Sequence, residues 1–217
     1  MSTEYREGLP PLPPRMRKLP VDDRKYPVPW FVKWFDGKPD FRVANSIKFK
    51  SAVSYGLCWV CGESLGKFKT FVVGPMCTVN RITSEPACHL DCAQFAVTAC
   101  PFMLLPAAQR KTAALPPKTM APPGVHLDRN PGVTALWTTR EFKLIPMTDN
   151  RRLISIGAPE TIKWYHQGRD ATRDEVQESL DDGFPVLWAL ARAAAVDSVV
   201  QLENAYAQVA SLYLPAA

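Results

Sequence analysis

In the second half of the chain, apolar and polar positions fall into short stretches broken by turn residues. Four of these stretches have the length and the β-branched or aromatic content of strands: 133–139, 142–146, 152–156 and 161–165. Arg140-Glu141, Thr148-Asp149-Asn150 and Gly157 separate them and Gly168 closes the last, which predicts a small antiparallel meander with Asp149-Asn150 at its central turn. Earlier, two aromatic-rich runs, 29–35 and 38–43, flank Asp36-Gly37, a strong hairpin signal. Strict alternation there puts Trp30, Val32 and Trp34 on one face and Phe31 and Phe35 on the other. A further strand is expected over 67–73, broken by Gly74-Pro75.

Helical spacing occupies the gaps between these strands. Asn45-Ser46 caps a helix from Ile47 to about Tyr55, ended by Gly56. Ala93-Gln94-Phe95-Ala96-Val97 continues a second helix until Cys100-Pro101 stops it. Thr172 and Glu175 form a capping box that opens a third helix, expected to run to about Leu180 and stop at Gly183. Pro185 fits the first position of the next helix, to about Ala195, and Asp197-Ser198 starts a last one carrying Val199, Leu202, Tyr206 and Val209 at helical spacing. The same text also suits one long helix with a bend. The fold class is α+β: an N-terminal β-hairpin, a finger-like middle, then a meander with C-terminal helices.

Composition divides the chain. Its 217 residues are 47% hydrophobic, enough for a core, but hold 21 Pro, about twice the usual share. These concentrate in a basic arm over 1–29, containing Leu9-Pro10-Pro11-Leu12-Pro13-Pro14, and in a linker over 103–131. The arm either wraps its own domain or a partner subunit, or offers a PxxP ligand. The expected organisation is therefore arm 1–29, hairpin and finger unit 30–102, linker 103–131 and a meander-plus-helix unit 132–217. Trypsin is expected to cut first at Arg110-Lys111 or Lys118 in the linker. No apolar run reaches the roughly 18 residues that span a bilayer, and 1–19 lacks the apolar stretch of a secretory signal. Both features place the chain in the cytoplasm, without a membrane partner.

In a reducing compartment, cysteine spacing reads as metal binding rather than as disulfides. Cys58-Trp59-Val60-Cys61 wraps a tight turn, and Gly62 after it permits a positive φ. Cys92 follows with His89 at i−3 and Cys88 at i−4, both spacings that share a helix face. Cys77 lies just past the strand break and is a third candidate, whereas Cys100 at a helix end is expected to pack. One structural Zn2+, held by Cys58, Cys61, Cys92 and one of these residues, is the expected cofactor. The order of a CxxC turn, an extended segment and a helix-borne pair over about 57–101 resembles the treble-clef zinc fingers. That resemblance implies His89, with Cys92, as the second pair. It does not imply one function, because treble clefs serve binding, scaffolding and HNH nucleases alike.

An HNH enzyme would need a His on the 67–73 strand, which has none, and Asn80 is expected in a loop, so no enzymatic activity is expected. The pairing of the Cys-Trp-Val-Cys-Gly finger with the 164–176 segment and a C-terminal helix also resembles uncharacterised bacteriophage and mobile-element proteins, which would place it in a bacterial host. The net charge of +5 is uneven: residues 1–120 hold 17 Lys and Arg against 9 Asp and Glu, while 121–217 hold 9 against 12. A zinc-stabilised binding or scaffold protein acting on a protein partner is the leading expectation. The alternative is a nucleic-acid-binding regulator that stacks bases on Trp30 and Trp34 beside Lys33, Lys38 and Arg42. Oligomeric state has no signature in the sequence.

Overall fold

The computed structural model describes residues 4–105, 108–109, 115–116, 119, 123–124, 129–149, 151–194 and 196–216. Much of the stretch expected as a linker, its tryptic sites, and the Asn150 half of the expected turn lie outside the described residues.

The arm lies on the chain's own body. It makes a 3-10 turn at Pro14–Met16, and Met16 is 1% exposed within the core that holds Cys58 and Trp59. The hairpin follows as expected: β1 (Val32–Phe35) pairs with β2 (Lys38–Ala44), and Asp36 and Gly37 both take positive φ. Two left-handed residues are what a two-residue turn of matching twist requires. In α1 (Ser46–Tyr55), the Asn45 side chain accepts from the Ile47 and Lys48 amides and Gly56 closes the helix in the left-handed region. Next come β3 (Lys69–Val73), α2 (Pro75–Asn80), β4 (Ile82–Thr83), α3 (Leu90–Ala99) and α4 (Pro101–Leu104). Gly74-Pro75 therefore ends a strand and also starts a helix, with Pro75 at its first position, where its missing N–H costs nothing. Asn80, expected in a loop, ends that helix and its side chain accepts from the Ile82 amide.

The four strands of the back half are present as β5 (Val133–Thr139), β6 (Phe142–Pro146), β7 (Arg152–Ile156) and β8 (Thr161–His166), with a short β9 (Arg169–Asp170). They do not form one meander. One sheet has the order β3-β5-β8-β9 and a second β4-β7-β6. Both edges of β5 are taken, by β3 in register Phe71 to Trp137 and by β8 in register Ala135 to Trp164. With no free edge on β5, β6 pairs with β7 instead. The strand pairing thus crosses 103–131: β3 and β4 from before it are built into the sheets of the residues after it. At the base of that stretch, Gln109 bridges Arg129 and the Asn130 side chain donates to the carbonyls of Phe102 and Leu105.

The β3-β5-β8 sheet separates two cores. Leu136, Val72 and Tyr165 face the finger, packing with Cys58, Trp59, Phe95 and Met16. Val133, Ala135, Trp137, Phe71 and Trp164 face the other way, against Val79 of α2 and the two C-terminal helices.

Those helices are α5 (Arg173–Ala194) and α6 (Val196–Leu212). The capping box forms as expected: the Glu175 amide donates to Thr172 Oγ1, and the Thr172 amide donates to the Glu175 carboxylate at 2.8 Å. Gly183 does not stop α5, and Pro185 sits inside it. The glycine serves packing: a Cβ there would meet Cε of Met76 at 2.8 Å, so α5 seats on α2 with the Met76 side chain in the space that the missing atom leaves. No helix among the described residues is long and apolar enough to cross a membrane.

Candidate metal centre

Cys58 and Cys61 lie on a small knuckle. Leu57 bridges Ser64, the Cys58 amide donates to the Glu63 carbonyl at 2.7 Å, and the Gly62 amide donates to the Cys58 carbonyl. Gly62 takes φ +78, and a Cβ on it would sit 2.7 Å from the Trp30 ring. Both facts exclude a larger residue at that position. The Trp59 amide donates to the Ala87 carbonyl, which carries the knuckle to the start of the second pair. His89 is the N-cap residue of α3 and Cys92 lies in its first turn, so one helix start presents both side chains inward.

Four ligand atoms, one each from Cys58, Cys61, His89 and Cys92, lie within 4.8 Å of one another. Cys61 Sγ and His89 Nδ1 are 3.5 Å apart. A zinc tetrahedron with Zn–S near 2.3 Å and Zn–N near 2.0–2.1 Å has ligand-to-ligand edges of about 3.6 Å. The donor set and its spacing therefore fit a zinc ion. The backbone amides of Cys61 and His89 both point at Cys58 Sγ, at 3.5 and 3.4 Å, as donors to a thiolate would. His89 Nε2 lies 3.1 Å from the Ser64 carbonyl, so it carries the proton there and Nδ1 presents its lone pair to the site.

The charges point the same way. Thiol contacts from Cys61, Cys88 and Cys92 hold the Cys58 thiol far below its ordinary value. The hydrogen bond each makes to Cys58, with burial added, pushes Cys61 up to about 11 and raises Cys92 and Cys88 as well. A divalent ion would stabilise the thiolates of Cys58, Cys61 and Cys92, so its binding must release protons.

The structure separates the candidate ligands. Cys88 is buried beside Cys58 but outside the four-ligand group, and its backbone is fixed by paired hydrogen bonds with Thr70 of β3. Cys77 packs in the other core and burial pushes its thiol up to about 11, the signature of an inert cysteine. Burial likewise raises Cys100.

The five positions considered for base stacking lie on the hairpin and in the turn before it. Trp30 sits in a turn before β1, half-buried, with its edge on Trp59 and the Lys48 ammonium over its ring. Arg42 is held by Asp40 through contacts of 2.9 and 2.6 Å. Lys33 lies against the Phe35 ring. Trp34, 39% exposed, Lys38 and Arg42 are the exposed members of the five.

Two kinds of residue around the metal centre escape a motif search. Trp59, inside the CxxC turn, is 4% exposed and stacks on Phe31 at 5.0 Å, with Phe49 and Trp30 edge-on. It ties the knuckle to hairpin and α1, and its place between the two cysteines was the available signal. Arg15 and Lys18 of the arm reach Asp91 and Glu63, the acids beside Cys92 and Cys61. Only their opposite charges, far apart in sequence, could have paired them. Comparison of the chain with protein-family models, curated proteins and solved structures gives no match.

Proposed function

We propose that this chain is a zinc-stabilised binding or scaffold protein that acts through contacts with a protein partner. The observation that carries this reading is the closed set of four protein ligands around one point, three of them buried. A tetrahedron filled by protein side chains leaves no position for water or substrate, which is the character of structural rather than catalytic zinc. Zinc would supply charge neutralisation and a crosslink between the knuckle and the start of α3. The order of knuckle, strand β3 and helix-borne pair supports the treble-clef likeness, and the likeness to phage and mobile-element proteins supplies the proposed origin. The nucleic-acid alternative has less behind it, because Trp30 and Arg42 are engaged within the chain. The HNH alternative lacks its strand histidine, and Asn80 is committed to the turn after α2.

The test is elemental analysis of the dialysed protein, followed by chelation. One zinc per chain is expected, absent from Cys58→Ser, and a strong chelator should unfold the finger core. A parent protein without metal, or one whose fold ignores the chelator, contradicts the proposal.

A further inference from the structure

The arm's two basic residues converge on the outside of the metal centre. Arg15 Nε donates to Asp91 Oδ2 at 3.0 Å, and the other oxygen of that carboxylate accepts from the Cys92 amide at 2.9 Å. A second nitrogen of the same guanidinium, Nη1, is 4.0 Å from the Glu63 carboxylate, which Lys18 also holds at 2.6 Å. Glu63 in turn accepts the Cys58 amide through its backbone carbonyl at 2.7 Å. Arg15 therefore bonds Asp91 behind the helix-borne pair and stands within ion-pair range of Glu63 behind the CxxC turn. Met16, the next residue, is buried against the same core, so the guanidinium is aimed by packing and not only by charge.

Charge counting explains why a cation is wanted there. Zinc with three thiolates and a neutral imidazole carries a net charge of −1, and Asp91 and Glu63 add two more negative charges beside it. Burial opposes the Arg15 charge, yet Asp91, with Cys92 and Cys61 behind it, holds the guanidinium above its usual range.

We propose that Arg15 is a positioning residue of the metal centre, a clamp on the N-terminal arm that joins the two ligand pairs from outside and offsets their negative charge. The inference rests on the zinc reading above. By linkage, whatever Arg15 adds to metal affinity the metal returns to arm docking. Arg suits the role better than Lys, because its fork reaches two carboxylates while an ammonium is a single point charge.

The experiment uses the full chain as parent, Arg15→Gln, Arg15→Lys and Asp91→Asn. The last keeps an acceptor for the Cys92 amide and removes the ion pair. Zinc affinity is measured by competition with a chelator at two salt concentrations, and docking by hydrogen exchange at the Met16 and Leu19 amides. R15Q should bind zinc about tenfold more weakly, the low end of what outer-shell partners contribute. R15K should fall between the two, D91N, which removes a negative charge together with the link, should lose less than R15Q, and combining R15Q with D91N should add little to the loss of R15Q alone. The deficit should shrink at high salt, where the charge term is screened, and the arm amides of zinc-loaded R15Q should exchange faster. An R15Q affinity within twofold of the parent, or a deficit that salt and lysine leave unmoved, overturns the clamp while the zinc reading stands. A parent protein that holds no zinc overturns both.

Discussion

Gly183→Ala measures how closely α5 is seated on the body. Gly183 is buried in the interior of a 22-residue helix, where alanine is intrinsically better by about 0.8–1 kcal/mol. Against this stands the seating of α5 on α2. The new Cβ would lie 2.8, 2.9 and 2.9 Å from Cε, Cγ and Sδ of Met76. Three consecutive atoms are involved, so moving the terminal methyl alone gives no relief and the whole side chain must swing. Overpacking of this kind costs about 1–3 kcal/mol. With about 2 kcal/mol for the clash, the net loss is about 1 kcal/mol, or roughly 2–4 °C in Tm for a chain of this size.

The sign should reverse when Met76 is cut back. In a Met76→Ala background the clash is gone, and G183A should stabilise by about 1 kcal/mol, which makes the coupling between the two sites about 2 kcal/mol. Denaturant unfolding of the four zinc-loaded proteins, read as shifts in midpoint at constant slope, completes the cycle. A G183A protein more stable than its parent would refute the close seating. So would a loss of the same size in both backgrounds, because that is the behaviour of a glycine needed for its backbone, as at a helix stop.

Three further outcomes follow. Removing the capping box with Thr172→Ala should cost about 1 kcal/mol. Its partner Glu175 is drawn from 4.5 to about 2, first by the Arg169 hydrogen bond, so this pairing stabilises above pH 4.5 and is lost as pH falls through about 2. The stability gap between the parent and Arg169→Gln should therefore narrow over that window, with zinc loss at acid pH common to both. A protein cut by trypsin at Arg110 or Lys118 should still run as one particle in gel filtration, because β3 and β4 stay paired with β5 and β7. Two separated fragments would show those pairings to be too weak to hold the halves together.

Local elements were legible where one residue decides the matter. Asp36-Gly37, Asn45, Gly56, Gly62 and the Thr172 to Glu175 pair each act within four residues of themselves, and each does what its chemistry requires. The candidate metal ligands belong to the same kind, since two short spacings carry them; the resemblance already implied His89 over Cys88, and the structure keeps Cys88 outside the group with its backbone bridged to Thr70 of β3. What the sequence misread were residues with two uses. Gly183 looks like a stop and is a packing contact with Met76. Pro75 ends the strand as expected, and its second use, as a helix start, went unread. Trp30 looks like half of an alternating strand face, yet it lies in the turn that covers Gly62. Sheet order was not legible at all, because β5 carries the same strand pattern whether its neighbour is β6 or the distant β3.

That choice of neighbour decides how far the metal matters. β3 is the finger's own strand, and Cys88 is bridged to it at Thr70, one residue before the helix-borne ligand His89. On its other edge β3 is paired along its whole length with β5. The Thr70 hydroxyl itself reaches Thr138 on β5 at 2.9 Å, out of solvent. The metal centre is therefore two backbone pairings away from the strand that divides the cores. The core on the far side of that strand, around Trp137, Trp164, Val176 and Leu180, contains none of the four ligands. Loss of zinc would leave that core's own burial intact while removing the crosslink that holds the knuckle, α3 and the arm on the near side. The finger should loosen first on chelation, and β5 is where the loosening would stop.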